Sequence, residues 1–374
     1  MRKYNWKQIL ITLGFIWIMI INISTSDIAS QSSNSLSLEE VSQITSSQDS
    51  FTQCEKIGNI LYALSVTGGL KSYDITNIEN PILLDSIVDT YYSHQFDFSN
   101  DLCCVADWLY GIKIYNISNP SNIVKLVEYY PEIDARVSGL CVKDNLLVAN
   151  EAVTSISNTK IVFLNITNPS LPTVITIIND GVSFFQRFLI EGDYCFAASY
   201  NNGIKVYDIS DLSDITEVYH YTGLFAPTDI MKSDDIMYVN DFNYFRIVNV
   251  SNLANFNIIG GYHTTKNIDS FSVYNSLAFV CEQEACLSII DITNLSLPEK
   301  IGQFDVEFIY HCFSEEQYLY LSLGDNGIKI LSYQLISTSN NSSIFANVFE
   351  FLTISGITIL SMSIYLKIKI SKKV

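Results

Sequence analysis

The chain has 374 residues, 48% of them hydrophobic and 13% aromatic, with 21 basic against 39 acidic residues and a formal net charge of −18. So acidic a chain repels a phosphate backbone, which excludes a nucleic-acid binder. Its apolar content is too high for a disordered polymer, and its length suffices for a sizeable core.

In chain order, Arg2, Lys3 and Lys7 precede an apolar run from Ile9 to Ile23, and small residues follow in STSDIAS. Charge, length and flank predict a signal peptide over residues 1–26, with Ser30 as a rival cleavage point and an uncleaved anchor as the other reading. Residues 27–35 form a linker. SLSLEEVSQIT (Ser35 to Thr45) then reads as a strand with no partner strands before it.

From residue 36 to 336 one phrase recurs: GIKIYNISNPSN at Gly111, GIKVYDISDLSD at Gly203 and a truncated GIKILSY at Gly327. Anchored on its Asp or Asn, the series is Asp74, Asn116, Asn165, Asp208, Asn249, Asp291 and a degenerate Ser332, with steps of 42, 49, 43, 41, 42 and 41 residues. Within a copy the apolar period is two, so each copy is built of strands, and a period of about 40 to 45 residues predicts four-stranded propeller blades. The second copy parses as strand A, His94 to Phe98; B, Leu102 to Ala106; C, Ile112 to Ile117; and D, Ile123 to Tyr130. Turn signals such as NNG at Asn201 separate B from C, and the Asx, Ser and Pro residues after C make a corner.

The step of 49 places six extra residues within EAVTSISNT (Glu151 to Thr159), expected as an insertion in a rim loop between B and C. Such loops carry recognition in repeat proteins, and a neutral surface insertion is the alternative. The seventh copy supplies A, B and C and lacks D. Pairing it with the N-terminal strand would close the ring and remove its open edges. The predicted fold class is therefore all-β: a seven-bladed β-propeller of four-stranded blades, its last blade completed by an N-terminal strand, with one C-terminal transmembrane helix.

CCVADWLYGIKIYNISNP (Cys103 to Pro120) and CFAASYNNGIKVYDISD (Cys195 to Asp211) resemble LVIVD repeats, found in surface proteins of bacteria and archaea. The resemblance implies a β-propeller and brings no agreed activity, so function has to be argued from the site.

Beyond the repeats, residues 337–343 read as a polar stalk and Ile344 to Leu366 as a helix long enough to cross a bilayer. Lys367, Lys369, Lys372 and Lys373 follow, which places the tail 367–374 in the cytoplasm and the propeller outside the cell. Residues 27–343 then hold 14 basic against 38 acidic residues, a charge of −24. That surface favours cations or basic partners, or serves solubility alone.

All eight cysteines lie in the repeats. Cys54 and Cys312 occupy equivalent strand A positions on blades that meet if the ring closes, and Cys281 and Cys286 flank one B–C hairpin; disulfides there and buried free thiols are the competing readings. Of the Asn-x-Ser/Thr sequons, Asn294, Asn340 and Asn341 are the glycosylation candidates, because those at Asn116, Asn165 and Asn249 occupy the corner anchor.

No catalytic motif or metal-ligand spacing is present. His94, Arg187 and His311 fall on or beside innermost strands, where they are candidates to line the channel. Aromatics of two B–C loops, Trp108 and Tyr110 in one and Phe242, Tyr244 and Phe245 in the other, are candidate rim contacts together with Glu151. The reading reached is a membrane-anchored extracellular scaffold for binding or adhesion, its partner a protein or surface glycan, with no cofactor and no catalysis expected. The alternative is a membrane-tethered hydrolase or lyase that uses the central channel, with a divalent cation.

Overall fold

The computed structural model describes residues 35–336 apart from 90–91, 131–134, 154–158, 182–184, 284–285 and 307. The predicted signal segment, stalk, membrane span and basic tail lie outside the described residues. Among those described, no helix is long and apolar enough to cross a membrane.

Residues Leu36–Gln334 form one compact unit of seven antiparallel sheets. Each blade runs A, B, C, D from the channel outward; blade 1, for example, is Phe51–Ile57, Ile60–Ser65, Gly69–Asp74 and Ile82–Ile87. In blade 7 the strands His311–Glu315, Tyr318–Ser322 and Ile328–Ile336 are completed by Ser35–Ile44, which supplies the missing D strand. The ring closes as the seventh copy's missing strand requires. A Lys329–Glu40 ion pair at 2.7 Å and a bond from Gln43 Nε2 to Asn326 O at 2.8 Å hold that strand in place.

Blade 3 differs from the expected four strands. Its B and C strands extend to Leu146–Val153 and Thr159–Asn165, pairing Glu151 with Lys160 and Ala152 with Thr159, and the short strand Ala135–Arg136 adds a fifth member. The extra residues are therefore spent partly on ladder. Glu151 is buried rather than looped out, which corrects its assignment as a rim-loop contact: strand pairing carries it below the turn.

The core consists of seven apolar wedges, one between each pair of adjacent blades. Cys104, Ile112 and Ile114 of blade 2 meet Leu140, Val142 and Leu147 of blade 3, and Cys54, Leu61 and Ala63 of blade 1 meet Tyr320, Ile328 and Ile330 of blade 7. Burying each such large side chain contributes about 1.5–3 kcal/mol. Strands B and C are buried on both faces whereas D is half exposed.

That burial explains the lysine of the repeated phrase. Lys113 is almost fully enclosed and meets Asp107 at 2.7 Å; Lys71 meets Asp49, Lys205 meets Asp180, and Arg246 meets Asp241 in the equivalent place. A buried ammonium is tolerated only when paired, so the phrase carries its cation where a carboxylate of the same blade, or one just before it, can reach. Blade 6 has Ser288 at this position, and it donates to Glu282.

The corner after strand C is a pair of Asx turns. Asp74, Asn116, Asn165, Asp208, Asn249 and Asp291 each accept a bond from the backbone N–H two residues on, at 2.8–3.0 Å. Three residues later Asn77, Asn119, Asn168, Asp211, Asn252 and Asn294 repeat the device. Short acceptor side chains supply these bonds and turn the chain into strand D.

Neither suggested disulfide is formed: all eight cysteines are buried free thiols. Cys281 lies opposite Leu287 and Cys286 opposite Glu282, so a one-residue offset turns the two side chains to opposite faces. Cys54 of blade 1 packs toward blade 7, while Cys312 of blade 7 packs away from blade 1, its Sγ donating to Phe279 O of blade 6 at 3.4 Å.

Candidate functional site

Four antiparallel strands return the chain to the face it left, so B–C turns and D–A connections share one face, here the upper, and A–B turns and C–D corners share the lower. The innermost strands begin at the upper face. In five blades their second residue is a bulge: the ladder skips Thr52, His94, Gln186, Thr228 and Asp269. A bulge leaves its residue unpaired and re-aims it. The repeat thereby builds a ring of displaced residues where the channel opens.

A cavity of about 340 Å³ occupies that opening, lined from all seven blades and including Gln95, Arg187, Asp229, Asp269, Ser270 and His311, with Trp108 and Tyr310 at its edge. Arg187 and His311 reach the channel as expected. His94 sits in the strand Ser93–Ser99 of blade 2, and its side chain lies outside the described residues.

Most polar groups below the mouth tie one blade to the next. Gln53 accepts from Phe96 N at 2.9 Å and donates to Phe96 O at 3.1 Å; Gln95 accepts from Leu140 N and Asp97 from Val142 N. Farther round the ring, Asn240 donates to Ile268 O and Ser272 accepts from Ser314 N. Neighbouring inner strands share no ladder, and these side chains bond the backbone groups that would otherwise be orphaned.

Charge in the channel centres on Arg187, whose Nε lies 3.3 Å from Asp229. Glu55 stands 3.9 Å from His311 Nε2, yet the two form no ion pair. Burial and the nearby Arg187 cation pull His311 down to about 3, so its imidazole is neutral. Burial, partly offset by Arg187, pushes Glu55 up to about 7. Burial also raises Asp97 and Asp229, against a bond from Val142 N and the Arg187 charge respectively. Among the described residues no three His, Cys, Asp or Glu side chains group to hold a metal ion.

Around the mouth, the exposed aromatics are partitioned by face. Tyr110 and Tyr200 lie in B–C turns, and Tyr92, Tyr130, Phe225, Phe308 and Tyr310 in D–A connections, all on the upper face. On the lower face the large exposed apolar residues are the aliphatic Ile57, Leu171, Leu212 and Leu297. Phe242, held at φ 65°, packs edge-on against Phe225, and Tyr244 lies under the Arg246 guanidinium at 3.8 Å. Trp108 stacks near Arg136 at 5.3 Å, and Lys113 lies 5.5 Å from the Tyr110 ring. Phe245 is a correction: it is fully buried between blades 5 and 6, stacked on Tyr238 and edge-on to Phe271, because strand alternation turns it inward one residue after Tyr244. The D–A aromatics are those that reading the sequence missed. Their signal was present as an aromatic in the connection before the A strands of blades 2, 3, 5 and 7, but that connection varies in length and composition between copies.

Models of known protein families place the LVIVD repeat on residues 97–130, 186–223, 228–264 and 267–306. The chain carries LVIVD repeats. The four matches fall on blades 2, 4, 5 and 6, and the LVIVD repeats are thus whole blades from inner strand to D strand. Blades 1, 3 and 7 carry no match; of these, blade 3 has the longer hairpin and blade 7 is built from both ends of the ring. Among solved structures, the crystal structure of the computationally designed Ika8 protein aligns with a TM-score of 0.55 at 12% identity, covering 79% of this chain and 99% of that one, a likeness of fold. No curated protein matches the sequence. Of the glycosylation candidates, Asn294 is exposed at a lower-face corner with its Oδ1 accepting from Ser296, and Asn340 and Asn341 lie outside the described residues.

Proposed function

We propose that this LVIVD-repeat propeller is an extracellular binding scaffold, anchored in the membrane by residues 344–366, which engages a protein or glycan partner through its upper face. The observation that carries the reading is the one-sided distribution of exposed aromatics. Aromatic rings supply large contact area at little conformational cost and dominate binding hot spots, and a surface kept only for solubility has no reason to gather them on one face. Hydrolase or lyase chemistry is not favoured, because Gln53, Asp97 and Arg187 are spent on holding blades and charges together.

The test compares full-length protein in detergent micelles with two double variants, Tyr200→Ala/Phe225→Ala on the upper face and Leu171→Ala/Leu297→Ala on the lower, for binding to isolated cell-surface material. The upper-face variant is expected to bind about tenfold more weakly, a loss of about 1.4 kcal/mol, and the lower-face variant to bind normally. Equal binding by all three proteins overturns the reading. Protease or periodate treatment of the surface material separates a protein partner from a glycan.

A further inference from the structure

We propose that the channel mouth is a binding site for a neutral, hydroxyl-rich ring, the terminal pyranose of a glycan, seated in the cavity with Trp108 and Tyr310 against its apolar faces. The inference rests on the upper face being the binding face and names what the centre of that face takes.

Three properties of the cavity select this chemistry. Its volume of about 340 Å³ lies at the small end of the roughly 300–1,000 Å³ of small-ligand sites, which suits one or two rings and is too small for a folded partner. Its walls carry hydroxyl and amide side chains, among them Thr52, Ser138, Gln186 and Thr228, rather than the apolar lining of a lipid or drug site. Polar groups there also remain unspent. Gln95 Nε2, Ser270 Oγ and His311 Nδ1 have no hydrogen-bond partner among the described residues, although Gln95 is 6% and Ser270 3% exposed. Leaving such a group unpaired costs about 1–3 kcal/mol, which a ligand that supplies the missing partner recovers.

Charge then decides among ligands. A cation accepts nothing from the Gln95 amide, which can only donate through Nε2, and it would enter beside Arg187. An anion would meet Asp229 and Asp269 in the same wall, while the cation that could hold it is already engaged by Asp229 at 3.3 Å. His311 is neutral there and adds no charge. A sugar hydroxyl both donates and accepts, so it is the ligand group that matches an amide donor, a serine hydroxyl and a ring nitrogen alike. Trp108 and Tyr310 at the edge offer apolar ring faces to the C–H face of a pyranose.

The experiment uses full-length protein in detergent micelles on an array of immobilised neutral oligosaccharides ending in hexose or N-acetylhexosamine, with sialylated and sulfated counterparts, and free monosaccharides as competitors. Binding is expected to the neutral termini, weakened about tenfold by Trp108→Ala and several-fold by Ser270→Ala. Ser270→Ala removes an unpartnered hydroxyl, so its melting temperature should stay level or rise while glycan binding falls, which a purely structural role does not produce. Competition by free monosaccharide at concentrations close to those of the immobilised glycan would show that the pocket reads the ring alone; stronger binding to the longer chain would place the ligand on a surface glycan. No binding to any neutral glycan, preference for the charged set, or parent-like binding by both variants overturns the proposal and leaves channel water as the occupant. Should the array stay blank while Tyr200→Ala/Phe225→Ala still abolishes binding to surface material, only this inference falls. If that variant also binds normally, the binding-face reading falls with it.

Discussion

At the scale of single residues, the channel's ionisable groups are set against the fold rather than with it. Glu55 titrates near 7 in the folded protein against 4.5 for an ordinary glutamate, and the groups around it are Arg187, Asp97, Asp229 and His311. Below pH 4.5 both folded and unfolded chains hold the proton and this carboxyl contributes nothing. As pH rises from 4.5 through 7 the unfolded chain releases it first, so stability falls, by up to about 3 kcal/mol, because each tenfold difference in proton affinity between the two states is worth about 1.4 kcal/mol. Glu55→Gln keeps the acceptor for Gln53 and removes the charge. Its melting temperature should exceed the parent's at pH 8 and converge with it at pH 4.5, and an unchanged difference across that range would contradict the argument. The thiols give a second prediction. Burial pushes Cys54 up to about 12 and raises Cys103, Cys141 and Cys281 well above the usual thiol range, so alkylation of the native protein should be slow. After unfolding without reductant, mass spectrometry should find all eight alkylated; fewer would mean that bridges form.

At the scale of elements, the recurrent phrase is a device for turning twice. Its glycine, the first residue of strand C or the one just before it, has positive φ, 74° at Gly69, 73° at Gly203 and 89° at Gly327. A Cβ at Gly203 would lie 2.0 Å from Tyr221 O, where strand D ends. Gly203→Ala therefore combines backbone strain with a backbone clash and should cost about 2–3 kcal/mol by denaturant unfolding. Gly192, at φ 56° in an A–B turn, has open space around it, so Gly192→Ala should cost only about 1 kcal/mol. Equal losses would show that the clash is relieved at no expense. The lysine and the Asx anchor of the phrase were visible as a pattern, and the structure supplies their reasons: a buried cation needs its carboxylate, and a corner needs acceptors for its N–H groups.

At the scale of the molecule, stability depends on a closed ring. Every wedge of core lies between two blades, and the wedge between blades 6 and 7 includes Leu36 and Leu38 of the N-terminal strand. Deleting residues 35–44 strips strand Ile328–Ile336 of its outer neighbour and leaves an unpaired edge. The shortened protein should melt at least about 10 °C lower and self-associate in size-exclusion chromatography. A monomer of normal stability would show that blade 7 stands without its fourth strand.

The sequence by itself determined the number of blades, the four strands of every blade but the third and the closure by the N-terminal strand, because a period near 42 residues, a two-residue alternation and one missing D strand are written locally along the chain. It also placed Trp108, Tyr110, Phe242 and Tyr244 on a rim, since turn residues mark the rim. Only the tertiary structure decided that Glu151 and Phe245 are buried, that Cys281 and Cys286 face apart, and that Tyr200, Phe225 and Tyr310 share a face with the channel mouth. Those outcomes turn on register and on contact between blades far apart in sequence: a shift of one residue reverses a side chain's face, and no local pattern records which neighbour it then meets.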